Sequence, residues 1–293
     1  MVPDRDAPLI PTLAACPPGL GIPGATVAVV RSDNRRGAVA EALALLDAEI
    51  RAAAVGSAVV LPVLGRGRRD SADPGALSAL LDLLLWVGLG PVAVASGHPE
   101  AARRFDRFGI ARECWGRPVS LVDLGRDEED WERLRLEGGE TLRLSRLVTR
   151  SGFRVALAPL SALGRGPSVF LAPREAVHPD DRPSAVDSVL STHAGPVLSV
   201  VEGPIGLRGR SVVAIAGLNP VAVDDTAARL LEAGPRWPWR PDRRSRIGLG
   251  TRDSGGIAIV GDAVGPIRPT GTRTAPAPGI RVDPAHANPG GEA

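Results

Sequence analysis

Short runs of apolar, β-branched residues recur along this chain, and most are separated by a segment with helical periodicity. That recurrence narrows the fold more than any other feature. The runs are Thr26 to Val30 (TVAVV), Ala58 to Leu61 (AVVL), Pro91 to Ala95 (PVAVA), Val119 to Asp123 (VSLVD), Phe153 to Ala158 (FRVALA), Pro196 to Val201, Ser211 to Ala216 (SVVAIA) and Ile257 to Val260 (IAIV). Runs this short and this uniformly apolar read as strands covered on both faces. After the first, Ala38 to Ile50 places Val39, Leu43, Leu46 and Ile50 on one side of a helix. After the second, Pro74 to about Val87 does the same with Leu77, Leu80, Leu81, Leu84 and Leu85. Strand, helix, strand repeated in this way predicts an α/β fold: a mostly parallel, twisted sheet with helices on both faces.

With 293 residues, 44% of them hydrophobic, the chain can bury a substantial core. Residues 1–25, rich in proline and glycine, read as an irregular arm, and residues 263–293 as a disordered tail. The intervening 26–262 is the α/β domain, which the charged stretch near 124–150 could divide into two lobes. RDEEDWERLR, residues 126–135, reads as a solvated helix or turn, and Gly138-Gly139 as the tip of a hairpin.

Some chemistry is excluded by composition. All basic residues other than histidine are arginine, and tyrosine is absent. Without lysine there is no Schiff base to pyridoxal phosphate and no Walker A loop. Cys16 and Cys114 are too few and too far apart for an iron–sulfur cluster. A formal net charge of +2 gives no general pull toward nucleic acid or membrane. Asp4, Asp6 and interrupting prolines argue against a secretory leader, so a cytoplasmic protein is expected.

Open parallel sheets keep ligands beyond the carboxyl ends of their strands. The residues expected there define the candidate site. Arg66 and Arg68 lie in the long loop after the second strand, Ser96 and His98 after the third, and Arg165 after the fifth. Glu202 ends the sixth. Asp224 and Asp225 lie near the start of a helix that Asn219 caps and Pro220 opens, where they either stabilise the helix dipole or face a ligand. Arginines would clamp an anion while His98, Glu202 or Asp224 moves a proton. The acidic pair also suits a divalent cation. Trp237 and Trp239 interleave with arginines in PRWPWRPDRRSR, which reads as an ordinary surface loop or as a site for a small-anion ligand or a subunit contact, ahead of nucleic acid. The expected partner is a small anionic molecule, with a homodimer compatible and a membrane not.

AGLNPVAVDDTAARLLEAG, residues 216–234, resembles the signature helix of the DUF362 family, α/β proteins of unassigned function. VVEGPIGLRG before it and GLG with IAIVGD after it resemble the family's glycine loop and closing strand. The resemblance covers about 26–262 and implies the same fold. It also implies a Lys-Pro-Asn motif where this chain has Leu61, Pro62 and Val63, and a Pro-Lys-Leu-Lys-Thr-His-like motif where it runs from Pro159 to Arg165. The prolines are kept and the charges are not. Glu202 keeps the carboxylate that relatives usually carry as aspartate. Two readings follow: an enzyme acting on an anionic metabolite by acid/base or metal-assisted chemistry, or a non-catalytic member that binds a ligand or a protein.

Overall fold

The computed structural model of the chain describes residues 25–126, 131–135, 141–160, 176–177, 197–205, 211–231 and 256–262. In chain order these form β1 (Ala25–Ser32), α1 (Arg35–Ala44), α2 (Asp47–Ala53), β2 (Ala58–Pro62), α3 (Pro74–Trp86), β3 (Val92–Ser96), α4 (Ala101–Phe108), α5 (Ile110–Cys114) and β4 (Val119–Asp123). Then come β5 (Trp131–Arg135), β6 (Thr141–Ser145), α6 (Arg146–Arg150), β7 (Phe153–Pro159), β8 (Leu198–Ile205), β9 (Ser211–Gly217), α7 (Pro220–Leu230) and β10 (Ile257–Gly261).

Eight strands make one sheet in the order β10-β1-β9-β8-β7-β2-β3-β4. The pairings of β9 with β1 and with β8 are antiparallel, and the others in this sheet are parallel. All strands of this sheet but β9 therefore point the same way. The expected α/β class, mostly parallel with helices on both faces, is what the chain adopts. β2 and β3 are buried along their whole length, which explains why they read as unbroken apolar runs.

Two apolar layers flank the sheet. One holds Val39, Leu43, Leu77, Leu81, Phe105 and Ile110, under α1 to α5. The other holds Leu142, Leu144, Val148, Val221 and Ala227, under the β5–β6 hairpin, α6 and α7. Ala176 and Val177 also join the second layer. Among the described residues, no helix is long and apolar enough to cross a membrane.

Two local expectations are corrected. Ala38 to Ile50 is not one helix: α1 closes at Leu45 and α2 restarts after Leu46, with Asp47 and Glu49 in its first turn. Acids favour a helix start, and the break still leaves Leu43, Leu46 and Ile50 buried. The charged segment ending at Arg135 is not a helix or exposed turn over 131–135. It is strand β5, antiparallel to β6 with Trp131 opposite Ser145. The buried Leu142 and Leu144 of β6 anchor the pair on the sheet, and that packing outweighs the local charge pattern.

Gly217 ends β9 where space is short. A Cβ there would lie 2.9 Å from the Thr26 carbonyl oxygen and 2.9 Å from Val223 Cγ2. Gly217→Ala is expected to cost roughly 1–3 kcal/mol, because β1 backbone cannot move aside cheaply. An unchanged urea midpoint would show that α7 is not packed this closely.

Candidate functional site

The site grows from three chain segments that end at the same rim. β1 runs into Asp33 and Asn34, and the Asn34 side chain accepts from Gly37 N at 2.6 Å to cap α1. Arg35 is thereby fixed as the first residue of that helix. β2 runs into a loop that returns at Asp73, whose Oδ1 accepts from Gly75 N and Ala76 N at 2.9 and 3.4 Å to cap α3. Pro74 occupies the first helical position, where its missing N–H costs nothing. The two helix starts abut: a Cβ on Gly75 would lie 3.6 Å from Arg36 Cβ.

Glu202 of β8 closes the arrangement from beneath. It pairs with Pro159 at the end of β7 and is fully buried. Asp73 N donates to its Oε1 at 3.1 Å. Arg35 Nη1 lies 3.2 Å from Glu202 Oε2 and 3.2 Å from Asp73 Oδ2, so one guanidinium serves two carboxylates. The Arg35–Glu202 approach is a charge contact without hydrogen-bond alignment, and Oε2 has no hydrogen-bond partner. Burial pushes the Glu202 carboxyl up to about 7. Arg35 pulls it back, the Asp73 charge adds to the rise, and the Asp73 N–H opposes it. A carboxyl held there changes charge near neutrality, the range in which a proton carrier works best.

The remaining expected residues distribute as follows. Arg66 and Arg68 are exposed on the loop after β2. Ser96 is buried at the end of β3, and its Oγ accepts from His98 N at 3.1 Å. His98 Nδ1 accepts from Glu100 N at 3.1 Å, the geometry of a turn leading into α4. Partial burial and the nearby Arg104 charge hold His98 below its ordinary value, against a weaker pull from Glu100. His98 and Glu202 share the rim, but β7 and β2 lie between their strands. Three strand spacings put them about 14 Å apart laterally.

The start of α7 is not at that rim. β9 runs against its neighbours, and Gly217 pairs with Val27 near the beginning of β1 and with Ser199 near the beginning of β8. Asn219 and Pro220 follow at the opposite edge of the sheet. The expected meeting of Glu202, His98 and the helix start is therefore overturned. Asp224 and Asp225 are buried on α7, and Asp225 Oδ2 pairs with Arg229 Nη2 at 2.5 Å, one turn along. Glu202 and Asp224 do not form the expected acidic pair. Arg165, Trp237 and Trp239 lie outside the described residues.

Arg35 and Asp73 are the members that sequence reasoning missed as site residues. The signal for each was local: both stand at helix starts placed directly after strands. Among the described residues, no group of three or more His, Cys, Asp or Glu could hold a metal ion. Cys114 is buried, and burial raises its thiol to about 11, which leaves it unreactive at neutral pH.

The position has a topological logic. β2 continues into α3 on one face of the sheet. After β7 the chain reaches Ala176 and Val177 in the layer on the other face. In open parallel sheets, ligands sit beyond the carboxyl ends of the strands where the chain changes face. Glu202 is on β8, the neighbour of β7. Comparison with protein-family models, with curated proteins and with solved structures finds no match to this chain.

Proposed function

We propose that this protein is an enzyme acting on a small anionic metabolite at the carboxyl rim of its parallel strands, with Glu202 as the proton carrier. Arg35 orients the carboxylate and answers its charge as the proton leaves and returns. Asp73 fixes Arg35 from the other side and donates its backbone N–H to Glu202. Arg66 and Arg68 attract the anion to the rim. The observation that carries this reading is a fully buried carboxylate whose Oε2 has no hydrogen bond, placed beneath two helix starts at the carboxyl ends of the parallel strands. We assign the chain to the DUF362-like proteins as a divergent member; the support is its α/β sheet and the Asn219-Pro220 helix start.

One observation favours the non-catalytic reading. At the positions corresponding to the family's lysine and asparagine, Leu61 and Val63 are buried at 2% and 9% exposure. Those side chains belong to the core and cannot reach a ligand.

The test does not require the substrate to be guessed. Metabolites released from purified protein by denaturation are identified by mass spectrometry and returned to fresh enzyme in D2O. Wild-type protein is expected to exchange a proton of the compound for deuterium. Glu202→Gln, which keeps the shape and loses the charge, should do so at least about 100-fold more slowly. Equal exchange by both proteins would remove Glu202 from the chemistry.

A further inference from the structure

The loop between β2 and α3 is built more rigidly than a connection needs. Its base is closed by Ala72 N donating to Val63 O at 2.9 Å and by an antiparallel bridge between Leu64 and Ser71. The buried Ser71 hydroxyl accepts from Gly65 N at 3.0 Å and donates to Gly67 O at 2.9 Å. Asp70 N donates to Gly67 O, which sets a single 3-10 turn over Arg68–Asp70. From outside the loop, Arg104 Nη1 bonds the carbonyls of Leu64 and Gly65, each at 2.6 Å. Gly65 is required, because a Cβ would lie 2.2 Å from the Asp70 carbonyl oxygen.

What this framework presents is three exposed arginines, Arg66, Arg68 and Arg69, within four consecutive positions. None makes an ion pair or side-chain hydrogen bond among the described residues. Arg35, Arg36, Arg51 and Arg117 each have a carboxylate oxygen within 3.2 Å. Like charges held together on a braced loop repel, and a bound anion relieves that repulsion. A carboxylate has two oxygens and is satisfied by one guanidinium fork. Three forks suit a group with more oxygens and more charge.

We infer that this is a phosphoryl-binding loop: Arg66, Arg68 and Arg69 take the phosphate or diphosphate end of a small molecule whose other end reaches Glu202. The inference rests on the reading of this rim as an active site and adds the substrate class, a phosphorylated metabolite. The connection is direct in the chain. Asp73, whose N–H binds Glu202, is three residues beyond Asp70, a reach of at most about 10 Å.

Calorimetric titration of the full chain with inorganic pyrophosphate at low ionic strength tests it. Wild-type protein is expected to bind saturably. The triple variant Arg66→Ala, Arg68→Ala, Arg69→Ala should bind at least about tenfold more weakly. Gly65→Ala keeps all three charges but breaks the loop, and should lose as much. Circular dichroism of both variants checks that they fold, and the triple variant, altered only at exposed positions, keeps the test decisive if Gly65→Ala does not. Glu202→Gln should bind pyrophosphate within about twofold of wild type. Absence of saturable binding, an unaffected triple variant, or tighter binding of a short deoxythymidine strand than of pyrophosphate would overturn the proposal. The two readings fail separately. Arginine-independent pyrophosphate binding with Glu202-dependent deuterium exchange sinks only the phosphoryl loop. Arginine-dependent binding with exchange that ignores Glu202 sinks only the proton carrier.

Discussion

Arg35→Ala is expected to destabilise the protein by about 1.4 kcal/mol more at pH 8 than at pH 5. Glu202 is the reason. Its carboxyl is fully buried and titrates near 7 even with the Arg35 guanidinium at 3.2 Å pulling it down. Removing Arg35 takes away the main opposing influence, so the folded-state value must rise further. In the wild type the folded value already exceeds the unfolded value of 4.5. The contribution of this group to stability is therefore complete below that unfolded value and is lost as pH rises through about 7. In the variant the loss continues to higher pH, at about 1.4 kcal/mol per unit. At pH 5 the carboxyl is neutral in both proteins, and the penalty shrinks to lost packing and the partly exposed contact with Asp73, which is small. Urea midpoints at pH 5, 7 and 8 for the wild type, Arg35→Ala, Glu202→Gln and the double variant measure this. The double variant should recover most of what Arg35→Ala loses at pH 8 and show little dependence on pH. A penalty equal at all three pH values would mean that the two groups are not coupled by charge.

The strands and most helices were legible because each carries its own burial pattern. β2 and β3 are covered on both faces and read as unbroken apolar runs. α7 carries both of its start signals, Asn219 accepting from Val221 N and Ala222 N at 3.1 Å and Pro220 in the first turn. The direction of β9 was legible too, although the expectation of a shared rim ignored it. β8 ends at Ile205 and β9 begins at Ser211, a connection far too short for the crossover that parallel strands need. An antiparallel β9 forces Asn219 to the far edge and separates Asp224 from Glu202. Other features could not be read locally. Glu202 contacts Asp73 from 129 positions away, and no periodicity links two such residues. β5 was hidden for a different reason: its charges alternate like those of a surface helix, and only the apolar face of β6 shows that the segment is laid on the sheet.

Phe105→Ala is expected to cost about 3–5 kcal/mol and to loosen the loop between β2 and α3 as well. α4 is short, and its sequence AARRFDRF offers few apolar groups to hold it down. Phe105 and Phe108 are 1% and 3% exposed, so the helix is anchored through one aromatic face. Truncation of the deeper ring leaves a cavity in the layer that also contains Leu77, Leu81 and Ile110. The next residue along, Arg104, is the outside brace of the loop through the carbonyls of Leu64 and Gly65. A helix that shifts to fill the cavity draws that brace with it. Hydrogen exchange separates the two effects. The amides of Gly65 and Asp70, bonded to Ser71 Oγ and Gly67 O, should gain exchange beyond what the global loss of stability accounts for. Arg104→Ala should reproduce that local gain with a far smaller shift in the urea midpoint. If loop amides in Phe105→Ala exchange no faster than the rest of the sheet, α4 is a passive cover, and the rigidity of the loop comes from Ser71 and its own backbone bonds alone.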